Sequence, residues 1–163
     1  MEGEKQVTEI LPDALIIRTG WLYSSHGHNF VKTMLNLMNN REELTVVADQ
    51  IGTPTWAKGL AEAIWNAAEK QEMKGIYHWT DAGVASWYDF AVAIQEEANQ
   101  AGIINKAIPI QPIRTTDCPT PAKRPSYSVM DKTATGDALG YKANHWRVNL
   151  RKMLHKLGEL NNA

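Results

Sequence analysis

A single cysteine, Cys118, stands among 163 residues, so no disulfide can close within the chain and no multi-cysteine metal cage can form. An excess of either charge is missing too: 17 Lys and Arg against 18 Asp and Glu leave a formal net charge of −1. Basic residues stand as scattered pairs, Lys123-Arg124 and Arg151-Lys152, and not as a stripe, which argues against a nucleic-acid partner. No apolar run approaches the ~20 residues that span a bilayer, and no cationic segment precedes a short apolar one at the start. The chain therefore reads as cytoplasmic. What is present, 44% hydrophobic and 21% charged residues, is the profile of a globular domain long enough to bury a real core.

Strand and helix signals alternate along the chain. Gly3 to Thr8 read as the last turns of a helix without its own N-cap, broken by Pro12-Asp13. Leu15, Ile16 and Ile17 are consecutive, so both faces of the strand Ala14 to Thr19 need cover, as in an interior parallel strand. Gly20 to His28 is too rich in Gly, Ser and His to continue it and reads as a loop. Asn29 can cap a helix carrying Phe30, Met34, Leu37 and Met38 on one face. Leu44 to Val47 is a short strand, Asp49 to Thr55 a tight loop, and Thr55 can cap a helix from Trp56 to about Lys70 with Leu60, Ile64, Ala67 and Ala68 inward. Gly75 to Thr80 is a second sheet strand. Ser86 caps a helix stopped by Gly102, with Trp87, Phe90, Ala91 and Ile94 inward. Ile108 to Ile113 is proline-interrupted and fits an edge strand. Thr115 to Tyr127 is an irregular loop, followed by an extended piece (Ser128 to Met130) and a short helix. The closing helix begins near His145 with Trp146, Val148, Leu150, Met153, Leu154 and Leu157 as its apolar positions. The fold class is α/β.

Four polar loops hold candidate site residues, and each has a plainer structural reading. Arg18 to Tyr23 leaves the carboxyl end of a buried strand, where ligands of open α/β sheets bind. Trp21 can stack on a sugar and Tyr23 can hydrogen-bond it, or both can anchor the loop. His26 and His28 suggest a metal pair, but no neighbouring carboxylate or cysteine completes a ligand set. In Asp49 to Thr55, Gln50 offers donor and acceptor, and Gly52 permits close backbone approach. In Thr120 to Ser128, Arg124 is a natural partner for a diphosphate, or a solvated turn residue.

Together these stretches resemble the dTDP-4-dehydrorhamnose reductases of the extended short-chain dehydrogenase/reductase superfamily. The residues carrying the resemblance are Gly3-Glu4-Lys5, Arg18 to Tyr23, Gly27 to Met34, Asp49 to Thr55, Gly75 to His78, Ser86 to Ala91 and Pro119 to Pro125, with Trp146 and Leu150 in the closing helix. The resemblance implies the C-terminal part of such a fold: a truncated Rossmann-like parallel sheet (1–28 and 56–101) and a small substrate-binding α/β subdomain (29–55 and 102–163). It implies NADPH or NADH as cofactor and a dTDP-sugar as ligand, the sugar losing its C4 ketone to a hydride. Trp21, Tyr23, Asn29, Gln50 and Arg124 would bind substrate, and Thr19 and Gly20 would lie beside the nicotinamide.

One departure matters. The family's Tyr-x-x-x-Lys pair and glycine-rich turn are absent: Tyr23, Tyr77, Tyr88, Tyr127 and Tyr141 are followed four residues on by Gly27, Asp81, Val92, Asp131 and His145. The chain is thus expected to start just downstream of that pair, to lack catalytic residues, and to show no turnover alone, since a lost general acid costs roughly 10²–10⁴-fold. A non-catalytic binding or regulatory subunit of reductase-like fold is the alternative. The uncovered strand at Ala14 to Thr19 is expected to drive homo-oligomer formation.

Overall fold

The structure, a computed structural model, describes residues 2–118 and 120–161. Helix α1 (Glu2–Ile10) leads into strand β1 (Leu15–Arg18) and a two-residue strand β2 (Leu22–Tyr23). Helix α2 (Phe30–Asn40), strands β3 (Leu44–Val47), β4 (Ile51–Gly52) and β5 (Thr55–Trp56), and helix α3 (Ala57–Ala68) follow. Next come β6 (Gly75–His78), β7 (Ala85–Ser86), α4 (Trp87–Gln100) and β8 (Ile110–Ile113). A 3₁₀ turn at Thr115–Asp117, α5 (Thr133–Leu139) and α6 (Trp146–Asn161) complete the order. No described helix is long and apolar enough to cross a membrane.

Among the described residues the strands join in four pairs. β1 runs parallel to β6, from Leu15 beside Gly75 to Arg18 beside His78. β3 is parallel to β8, β2 is parallel to β5, and β4 is antiparallel to β7. Among the described residues β1 has a strand on one edge only. Its Leu15 and Ile17, with Tyr77, face a core built by Ala63 and Ala67 of α3, Leu139 of α5, Met73 and Trp79. Period-two alternation sends Ile16, Arg18 and Ile76 to the other face, where Glu4 of α1 holds Arg18 with a bond of 2.7 Å to Nε. Ile76 stays 48% exposed there, so the apolar strand pair is covered well on one face and poorly on the other.

A larger core lies among α2, α4, α6 and β3. Phe90, Ile94, Leu150, Met153 and Leu154 are fully enclosed in it, and burial of each contributes roughly 1.5–3 kcal/mol. Glu97 of α4, 3% exposed, is bound by Arg147 at 2.9 Å and Arg151 at 2.7 Å from α6. Those hydrogen bonds, Arg151's foremost, hold its carboxyl below the usual range.

Caps explain several boundaries. Asn29 accepts from Lys32 N at 3.3 Å, and Ser86 and Asp89 form a reciprocal capping box on α4. Gly102 takes φ +68° just beyond Gln100. Three expectations need correction. Thr55 does not cap α3: it belongs to β5, its hydroxyl bonds Thr53 O at 3.2 Å, and the helix entrance is instead met by Asp81, whose Oδ2 accepts from Trp56 N at 3.2 Å. The stretch Gly20 to His28 is not all loop, because Leu22 and Tyr23 pair with Thr55 and Trp56. Ile64 and Val148 are exposed at 48% and 42%; both lie outside the packed stripes of their helices.

Candidate functional site

A cleft of about 280 Å³ opens where β1 and β6 end, lined by Gly20, Trp21, Gln50, Thr53, Thr80, Trp87, Arg124, Pro125, Ser128 and Met130. Loops leaving neighbouring parallel strands at their carboxyl ends diverge and leave a crevice. Here residues 20–21 follow β1 and Thr80 follows β6.

Trp21 is fixed by Trp87 and by Gly52. Its indole stacks on Trp87 with ring centroids 3.6 Å apart and planes 5° from parallel. Phe30 backs Trp87 at 4.7 Å. A β-carbon on Gly52 would collide with the Trp21 ring and sit 2.8 Å from Ser128 Oγ, so only glycine lets the indole lie there. The Trp21 backbone takes φ +50°, a left-handed conformation that bulky residues rarely adopt. One face of Trp21 is thus occupied by Trp87, and a ligand has the remaining face and edge.

Gln50 is 8% exposed and donates through Nε2 to Thr115 Oγ1 at 3.1 Å. That threonine in turn donates to Asp49 Oδ1 at 2.6 Å, and this bond holds the Asp49 carboxyl below its usual range. The chain of bonds ties the Gln50 loop to the 3₁₀ turn. Arg124 reaches the cleft from the opposite loop, and among the described residues no carboxylate pairs with it. Behind the cleft, Lys132 Nζ donates to Thr80 Oγ1 at 3.0 Å, and desolvation lowers the pKa of that ammonium.

Trp21, Gln50, Arg124 and Gly20 therefore share one cleft. Tyr23 does not reach it. It is 1% exposed, packs on Phe90, and its hydroxyl donates to Trp146 O at 3.4 Å; burial raises its pKa. Strand alternation is the reason: Leu22 faces out and Tyr23 faces in. Asn29 also lies away from the lining. Its side chain caps α2 and donates to Ser24 O at 2.7 Å. Thr19 sits beside Gly20 with its buried Oγ1 lacking a partner. The His26 and His28 pair gains no third ligand, and no group of three or more metal-binding side chains occurs among the described residues. Pro119 lies outside the described residues.

Thr53 and Ser128 belong to candidate loops of the sequence, whereas Thr80, Trp87 and Met130 stand outside all four. Thr80 was accessible to the rule that pointed to Trp21, since it also follows a parallel strand. Helical spacing turns Trp87 inward, and it is half-buried because it stands at the first turn of α4, where the helix meets the cleft.

A family model described as the RmlD substrate binding domain matches residues 1–159. A dTDP-4-dehydrorhamnose reductase of Aggregatibacter actinomycetemcomitans is 41% identical over 157 residues, covering 93% of this chain and 53% of that protein. The dTDP-4-dehydrorhamnose reductase of Escherichia coli (strain K12) is 39% identical over 161 residues, covering 96% and 54%. Among solved structures, the Bacillus anthracis dTDP-4-dehydrorhamnose reductase in complex with NADP superposes with a TM-score of 0.86 at 34% identity, covering 94% of this chain and 52% of that one. The chain spans about half the length of the curated relatives it matches.

Proposed function

We propose, given that this chain belongs to the RmlD substrate binding domain family, that it grips the sugar nucleotide in an NAD(P)H-dependent reduction of dTDP-4-dehydro-L-rhamnose to dTDP-L-rhamnose. The observation that carries the reading is the convergence of Trp21, Gln50 and Arg124 on one cleft at the ends of two parallel strands. Arg124 suits the diphosphate, because a guanidinium binds phosphate oxygens in pairs. The open face of the Trp21 ring suits the apolar side of a hexose, with Gln50 and Ser128 beside its hydroxyls. Tyr23 and Asn29 support these loops from behind.

Thr19 and Gly20 fit the edge of a nicotinamide: an unpartnered hydroxyl stands next to a residue with no side chain. The cofactor would supply hydride, and this chain's part is to hold the acceptor sugar against it. With no Tyr-x-x-x-Lys in the sequence, the 163 residues alone are proposed to turn nothing over.

Isothermal titration of the chain with dTDP-rhamnose and with NADPH tests this. Binding of the sugar nucleotide, weakened at least tenfold by Arg124→Ala, is the expected result; a tenfold loss corresponds to about 1.4 kcal/mol. NADPH is expected to give no heat. Absence of sugar-nucleotide binding, or NADPH oxidation by the pure chain with the keto-sugar, would overturn the reading.

A further inference from the structure

A second cavity, of about 620 Å³, shares no residue with the Trp21 cleft. It lies between α3, α6 and the loop before α6, and its size suits a small ligand, for which pockets run roughly 300–1,000 Å³. Its rim is basic. Lys58 is already paired with Glu62 at 3.7 Å. Lys142, Lys152 and Lys156 also line the cavity, and among the described residues no carboxylate lies within ion-pair distance of them. Against these three stand Glu159 on the rim and Asp81 on the floor.

The floor is polar and unsatisfied. Trp79 is 3% exposed and Asp81 is fully buried, and Trp79 Nε1 and Asp81 Oδ1 both lack a hydrogen-bond partner. Buried polar atoms without partners are rare and point to a missing group. Asp81 Oδ1 is turned toward another wall residue, Gly59, where a β-carbon would sit 3.7 Å from it. Trp56 N donates to its other oxygen, and Asn149 of the same cavity wall also bonds the carboxyl and lowers its pKa. One indole N–H and one carboxyl oxygen together match an alcohol, which accepts from the first and donates to the second.

We propose that this cavity binds a phosphate ester of a small sugar, its phosphate on Lys142, Lys152 and Lys156 and its hydroxyls on Trp79 and Asp81. The site is joined to the cleft through the chain itself: Thr80 lines the cleft and the next residue, Asp81, lines the cavity.

The test is a titration of the isotope-labelled chain followed by ¹H–¹⁵N spectra, with glucose 6-phosphate, inorganic phosphate and glucose in separate arms. Glucose 6-phosphate is expected to shift the Trp79 indole N–H resonance saturably. In a Lys152→Ala, Lys156→Ala double variant, whose two sites are exposed on α6 and whose fold the spectrum itself checks, affinity is expected to fall about tenfold or more. No saturable shift, an undiminished affinity in the variant, or equal affinity for inorganic phosphate would overturn the proposal. Titration of the same variant with dTDP-rhamnose reads the Trp21 cleft separately, so failure of one assignment is distinguishable from failure of the other.

Discussion

Trp21 shows how much of the cleft rests on single atoms. Its left-handed backbone costs roughly 1–3 kcal/mol and is held because the indole stacks on Trp87 and its nitrogen-bearing ring lies against Gly52. Gly52→Ala is expected to push the ring off Trp87, destabilise the fold by about 1–3 kcal/mol and alter the near-ultraviolet circular dichroism of the stacked indoles. An unchanged spectrum would mean that the clamp is not made this way. Asp81 is the second telling residue. Desolvation pushes its pKa up to about 6, against lowering by bonds from Asn149 and Trp56 and by the charge of Lys132. In the unfolded chain an aspartate ionises near 3.9. Below that pH both states are protonated and Asp81 exerts no penalty. Between about 4 and 6 the unfolded chain releases its proton first, so this residue lowers stability as pH rises, and the loss levels off above 6. Denaturant titrations from pH 4 to 7 are expected to show Asp81→Asn gaining on the parent by roughly 2–3 kcal/mol across that window. A constant difference would contradict the burial argument.

Local signals fixed most elements because they act within a few residues. Asn29 and Ser86 cap α2 and α4 as the sequence indicates. Ser86→Ala removes one bond to Asp89 N at 3.0 Å and one to the Asp89 carboxylate at 2.7 Å. The expected cost is about 1 kcal/mol, read as a lower denaturation midpoint with an unchanged slope. It should also loosen the first turn of α4, and with it Trp87. The capping rule failed at Thr55 for a long-range reason. Asp81, 25 residues away, satisfies the donor at the helix entrance, which frees Thr55 to join β5. No pattern within a helical turn could reveal that.

At the scale of the whole molecule, the consecutive run Leu15-Ile16-Ile17 asks for cover on both faces and both edges. The fold supplies α3 and α5 on one face and β6 on one edge. Ile76 at 48% exposure, with Val7, Ile10 and Leu11 of and beyond α1 also exposed, marks the apolar surface left over. Open strand edges and uncovered apolar faces favour pairing with another chain. The isolated chain is expected to self-associate in light scattering, with the association weakened by Ile76→Lys. A concentration-independent monomer in which the β1 amides are protected from exchange would argue against it.

The sequence by itself determined the α/β class, the placement of the longer helices and strands, and the family, because those depend on apolar period, caps and motif order along the chain. It also brought Trp21, Gln50 and Arg124 forward as site candidates. Tertiary structure alone decided that these three share a cleft, that Tyr23 turns inward while Leu22 turns out, that Trp87 closes one face of Trp21, and that Asp81 meets Trp56. Each of these depends on contacts between residues 25 or more positions apart, and the direction of a side chain across such a gap is set by packing, which no local pattern records.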